Sequence, residues 1–173
     1  MPSQSTRMEA ANDQKAKSAR LRRRRGYRWE DGLVKRLNGA GGWRAFRLGS
    51  PSVALPDVLA VNTRSRAILV VEAKSGAKTS LSVPPNQIQR CLDWCDTFDI
   101  YDARTVVLAF KFLSKKRLDS GTYKYRIMRE YYKVWDPAVE PVECVCTYDG
   151  QTYALIDGTR QQMEMDDYSM PSA

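Results

Sequence analysis

The stretch Ala67–Ala73, reading AILVVEA, constrains the fold more than any other part of the chain. A strand that is apolar at both parities has to be covered on both faces, which a lone hairpin or a one-sided sheet cannot do. Helical segments are therefore needed to cover it, and two are legible. Trp29, Leu33, Val34 and Leu37 recur at helical spacing within Tyr27–Leu37, and Asn38, Gly39, Gly41 and Gly42 end that run. Ile88, Cys91, Leu92, Cys95 and Phe98 share one face of a helix predicted over Asn86–Phe98. Further strands are predicted at Trp43–Leu48, Asp57–Val61 and Thr105–Phe112. The order helix–strand–strand–strand–helix–strand describes an α/β layer fold with a mixed central sheet flanked by helices.

Downstream, Tyr123–Trp135 reads as extended. Val142–Tyr148 and Gln151–Ile156, separated by Asp149-Gly150, predict an added C-terminal β-hairpin closed by a type I′ turn. The expected organisation is a basic, disordered N-terminal arm over 1–24 and a main domain over 25–135. The hairpin would extend that same domain over 136–158, and an acidic tail would occupy 159–173.

The 173 residues contain no histidine. This excludes Ser–His–Asp triads, HExxH proteases and His-dependent zinc nucleases, so any acid–base or metal chemistry falls to carboxylates, lysine, tyrosine, cysteine or water. The net charge of +8 is unevenly spread: residues 1–28 carry nine Lys/Arg against two acids, 111–133 carry eight against two, and 134–173 carry one against eight. Blocks of one sign favour a polyanionic partner, although Arg22–Arg25 alone would also suit a solvated or targeting tail. Cys91, Cys95, Cys144 and Cys146 have spacings unlike a zinc knuckle and are expected as reduced, mostly buried thiols. No apolar run is long enough to span a bilayer and none resembles a signal peptide, so a cytoplasmic location is expected.

Four charged residues stand where packing alone would not put them. Asp57 follows Pro56 and begins the strand DVLAV. Glu72 and Lys74 lie two apart at the end of AILVVEAK, so strand alternation sends both to the face shared with Ile68 and Val70. Glu30 precedes Leu33, Val34 and Leu37 by three, four and seven residues and extends their inward stripe. Such charges are costly on apolar faces unless they pair or bind metal. Asp57 and Glu72, with Glu30 and the carbonyl of Ala73, form a set of hard oxygen donors suited to Mg²⁺, with Lys74 placed to position water or balance charge. A half-buried ion pair between Lys74 and one carboxylate is the structural alternative.

The ordered motifs RGYRWEDGLVKRL, FRLGS, PDVLA and VVEAKS, followed by CLDWCDTF and LAFKFLS, resemble the PD-(D/E)xK nucleases. Within them the chain is similar to the archaeal-type Holliday junction resolvases (Hjc), over roughly Arg25 to Leu113. The resemblance implies a restriction-endonuclease-like fold and a Mg²⁺ site, with Mn²⁺ a possible substitute, at Glu30, Asp57, Glu72 and Lys74. It implies DNA contacts or a catalytic part for Arg47 and Lys111, and a DNA-contacting serine at Ser50 or Ser52. It also implies a dimer surface at Trp94 and Phe98, which as an i,i+4 pair would equally suit a core. Three departures stand out: Asp31, where the family often has Arg or Lys, a long loop over 49–57, and a segment after Lys115 with no clear counterpart. The function so implied is resolution of four-way DNA junctions by paired symmetrical nicks as a homodimer, without organic cofactor or membrane. Arg22, Arg23, Arg24 and Arg25, with the basic block 111–133, would track the arms. A restriction- or repair-type nuclease acting on flaps or nicks, or a non-catalytic DNA-binding module, are the alternatives.

Overall fold

The computed structural model describes residues 4–48 and 54–172, with the side chains of 4–11 excepted. Its elements are, in order, α1 (Gln4–Gly39), β1 (Arg44–Arg47), β2 (Val58–Asn62), β3 (Ala67–Gly76), β4 (Ser80–Val83), α2 (Pro85–Thr97), β5 (Ala103–Phe112), β6 (Lys115–Arg117), β7 (Tyr123–Tyr125), β8 (Arg129–Trp135), β9 (Glu143–Thr147), β10 (Thr152–Ile156) and β11 (Thr159–Gln162).

The apolar strand β3 is central, as its composition requires. The main sheet has the order β1-β2-β3-β5-β8; β3 and β5 are parallel and every other pairing is antiparallel. A parallel pair needs a crossover, and α2 supplies it. One parity of β3, with Ile68 and Val70, packs with Leu59, Val106, Leu108, Phe110 and Phe112 beneath Ile88, Cys91 and Cys95 of α2. The other parity, Leu69 and Val71, packs with Val58, Ala60, Val107 and Ala109 beneath Trp29, Leu33 and Leu37 of α1. The result is the mixed α/β layer fold read from the sequence.

Helix α1 departs from that reading, because it begins at Gln4 where a disordered arm is expected. Residues 12–25 are exposed apart from the half-buried Ala19, and they bury no apolar stripe. Their Ala, Lys, Arg and Gln content favours helix on propensity alone once the packed segment from Trp29 to Leu37 has nucleated it.

The C-terminal part forms a second sheet, β11-β10-β9-β4, in which β4 is borrowed from the main domain. Cys144 and Cys146 of β9 join the α2-side core, and all four cysteines are free and buried. The β9–β10 hairpin exists, but its turn is not type I′. Gly150 alone of Asp149-Gly150 has positive φ (83°), and Gly150 N–H donates to Thr147 O at 2.9 Å. That is a three-residue connection with glycine at the left-handed position. A Cβ on Gly150 would also lie 2.6 Å from Tyr131 Cε1, so both backbone angle and space require glycine.

The segment expected as an acidic tail is likewise built into the fold. It begins with β11, Val134 N–H donates to Asp166 O (2.8 Å), and Tyr168 N–H donates to Tyr132 O (2.8 Å). Met163, Met165, Tyr168 and Met170 anchor it by packing against the two cores, and it covers part of the outer edge of β8.

A candidate acidic site at the end of the central strands

The polar residues singled out in the sequence gather where β2 begins and β3 ends. Asp57 precedes β2 and shares the α2-side parity of Leu59; its Oδ2 accepts from Ala73 N–H at 2.7 Å. Glu72 is 1% exposed, with one oxygen accepting from Lys74 Nζ (2.7 Å) and the other from Arg90 Nη2 (2.6 Å) of α2. Glu30 reaches the same end from α1 and is also buried. Arg47 at the end of β1 lies 3.8 Å from Glu30 Oε2 and pairs with Asp31 Oδ1 at 2.9 Å, its guanidinium resting on the Tyr27 ring. Asp31 therefore occupies an arginine that the resemblance assigns to DNA or catalysis.

The electrostatics reflect crowding of acids. Burial first, and then the negative charge of Asp57, push Glu30 up to about 7 against the pull of Arg47. Burial and Glu72 push Asp57 up to about 6, although the Ala73 hydrogen bond opposes them. Among the described residues, no three Cys, Asp or Glu side chains form a ready-made metal cage. Glu72 is instead clamped by two cations. The set nonetheless fits a hard divalent cation: its donors are oxygens, and two of its acids are raised by burial and by neighbouring acids, a penalty that a dication would relieve.

Lys111 lies elsewhere, on the α1 side of β5. It pairs with Glu130 across the β5–β8 register at 3.1 Å and sits over the Trp29 ring. Glu130 also accepts from Arg36 (2.9 Å) and from Tyr132 O–H (2.7 Å). Burial works to raise its carboxyl, but these hydrogen bonds outweigh it and hold the group below its ordinary value. Trp94 and Phe98 stack with centroids 6.0 Å apart, half-buried against the α2-side core, and Trp94 Nε1–H donates to Ala54 O at 2.9 Å. Ser50 and Ser52 lie outside the described residues.

The arginine run divides. Arg22 and Arg25, three apart on α1, line a cleft of about 600 Å³ that also holds Lys74, Lys78, Arg117 and Arg160; Arg23 and Arg24 do not border it. Sequence reasoning missed Arg90, Glu130 and Arg160. Arg90 had no signal beyond being polar on a helix otherwise read for its apolar face. Arg160 is the one basic residue of 134–173; it turns toward the cleft, donating to Ser80 Oγ at 3.2 Å.

Comparison with known proteins adds the decisive observation: the family model for "Archaeal holliday junction resolvase (hjc)" matches residues 21–133. The chain belongs to the Hjc family. It is thus a nuclease of the Holliday junction resolvase kind, with branched DNA as the implied substrate. The match extends beyond Arg25–Leu113 in both directions, through the β6–β7 ribbon and most of β8, but stops short of the second sheet's C-terminal strands. A solved structure of Archaeoglobus fulgidus Hjc, a Holliday junction resolvase from an archaeal hyperthermophile, is 20% identical, with a TM-score of 0.41. That alignment covers 68% of this chain and 88% of the other. No curated protein matches the chain. No described helix is long and apolar enough to cross a membrane.

Proposed function

We propose that this chain is a Mg²⁺-dependent endodeoxyribonuclease that resolves four-way junctions by paired symmetrical nicks as a cytoplasmic homodimer. The observation that carries the proposal is the meeting of Glu30, Asp57, Glu72 and Lys74 at one end of the sheet, with Glu30 and Asp57 both raised by burial and by neighbouring acids. Asp57, Glu72 and the Ala73 carbonyl would hold the cation, and Glu30 would complete the set. Bound there, Mg²⁺ or Mn²⁺ would supply a lowered pKa for water and charge neutralisation at the phosphate. Lys74, 2.7 Å from Glu72, would orient water or balance developing charge there. Two-fold symmetry suits a substrate whose cut strands are themselves symmetry related, and Trp94 and Phe98 would lie at the protomer interface. Arg22, Arg25 and the cleft cations, with Arg47 and Lys111, supply phosphate contacts, which select shape rather than sequence.

The test is cleavage of a four-way junction, a matched duplex and a flap, with and without Mg²⁺. Paired nicks in the junction alone, dependent on metal, support the proposal. Preferential cutting of the flap would favour a repair-type nuclease, and binding without any cutting a non-catalytic module.

A further inference from the structure

We propose that the β6–β7 ribbon is a stacking wedge that inserts its tyrosines against bases unstacked at a DNA branch point. The inference rests on the junction-nuclease reading and names a recognition element for it. The ribbon belongs to neither sheet. Its register sets Lys115 opposite Tyr125 and Arg117 opposite Tyr123 on one side, and Lys116 opposite Lys124 on the other. Tyr123 is 56% exposed and Tyr125 75%, and the following Ile127 is as open as Tyr125.

Folding gives little reason for this composition. Directly opposed lysines repel, Tyr125 gains only the Lys115 ammonium 5.3 Å from its ring centre, and a short two-stranded ribbon is marginal alone. A polyanion relieves the repulsion, and every base offers a ring face to tyrosine whatever its sequence. A four-way junction presents both at its crossover.

The ribbon is tied down at both ends. At its base Arg126 N–H donates to Ser114 O at 2.7 Å, and beside its turn Arg117 N–H donates to Ala77 O at 2.9 Å. The Arg126 side chain donates to Leu113 O and Lys78 O, each at 2.9 Å, and stacks on Tyr148 with its guanidinium carbon 4.5 Å from the ring centre. The ribbon is therefore presented at a fixed angle to the β3–β4 turn. Arg117 and Tyr123 border the cleft that contains Lys74, while Lys116, Lys124 and Tyr125 border a second hollow with Arg126 and Arg160. Cations thus border both hollows, and the first of them reaches Lys74 of the candidate site.

The experiment uses the full chain in EDTA, so that binding is read without cleavage, on junctions carrying 2-aminopurine at the crossover or in mid-arm. The wild type should change the crossover signal and leave the mid-arm signal alone. Tyr123→Ala with Tyr125→Ala should abolish that change and lower the junction-over-duplex affinity ratio by about tenfold, while the paired Phe variants keep both. An unchanged crossover signal and ratio in the Ala pair would overturn the wedge, as would Phe variants that behave like Ala. A wild-type-like sedimentation coefficient for the Ala pair is expected; a shift to a smaller species would overturn the proposal by assigning the patch to a protein interface. Addition of Mg²⁺ separates the two readings. No cutting by the wild type despite an intact crossover signal defeats the nuclease reading and supports the wedge, whereas cutting with unaltered discrimination in the Ala pair defeats the wedge alone.

Discussion

Arg90 of α2 and Glu72 of β3 form a buried ion pair, 2.6 Å between Nη2 and Oε2, that holds in place the acid most central to the candidate metal site. The pair couples helix to sheet, and with Lys74 it leaves neither Glu72 oxygen unclaimed. Each oxygen keeps a second lone pair, so a cation bound through Glu72 either shares it with these partners or displaces one of them. Removing one member of a buried pair is costly because the other charge stays behind. Arg90→Met should destabilise the metal-free protein by about 3 kcal/mol in urea denaturation. Added Mn²⁺ should recover more of that loss than it adds to the wild type. Equal metal responses would contradict a role for Glu72 in metal binding.

The raised acids make stability depend on pH in a defined direction. Glu30 titrates near 7 in the fold against 4.5 for an ordinary glutamate, so its protonated form is the one the fold favours. Its contribution is complete below about 4.5 and is lost as pH rises through about 7. Glu30→Gln should therefore stabilise the metal-free protein at pH 8 by roughly 1–3 kcal/mol more than at pH 5. Denaturation midpoints in EDTA at the two values check this; an identical effect at both would show that Glu30 is not strained by its neighbours.

The division of the arginine run gives a salt-dependence prediction. Arg22 and Arg25 border the cleft with Lys74, whereas Arg23 and Arg24 do not. Each phosphate that is no longer neutralised reduces the slope of log affinity against log salt by about 0.9. The pair Arg22→Ala, Arg25→Ala should flatten the slope by nearly two, and Arg23→Ala with Arg24→Ala by less. The reverse order would place the DNA on another face of α1.

Glu130 is expected to matter for stability first. It collects Arg36, Lys111 and Tyr132 in a half-buried cluster between α1, β5 and β8. Glu130→Ala strands two cations and should lower stability by about 2 kcal/mol, with Glu130→Gln milder. Urea denaturation that does not separate the two substitutions would show that the carboxylate charge is not what the cluster needs.

Much of this architecture is legible because periodicity is local. The apolar strand at Ala67–Ala73, the stripe ending at Leu37 and the Ile88–Cys95 face each announce which side is buried. The pairing of Glu72 with Lys74 follows from a spacing of two. What stays hidden depends on contacts distant in sequence: β4 leaving the main domain to pair with β9, Glu130 meeting Lys111 across β5 and β8, and Arg160 returning to Ser80. The first twenty-odd residues mislead for another reason. They lack an apolar stripe and so look unstructured, whereas an anchored helix continues through good helix formers without one. The last fifteen mislead because their charge overshadows the Met and Tyr anchors among the acids.

Calorimetric titration of Mn²⁺ into the wild-type protein, and into Asp57→Asn and Glu72→Gln variants that remain folded and still bind junction DNA, is the most direct examination of the acidic site. The account predicts saturable binding to the wild type, its loss in both variants, and loss of junction cleavage with it. Undiminished Mn²⁺ binding in either variant, or metal-dependent cutting that survives both, would contradict it.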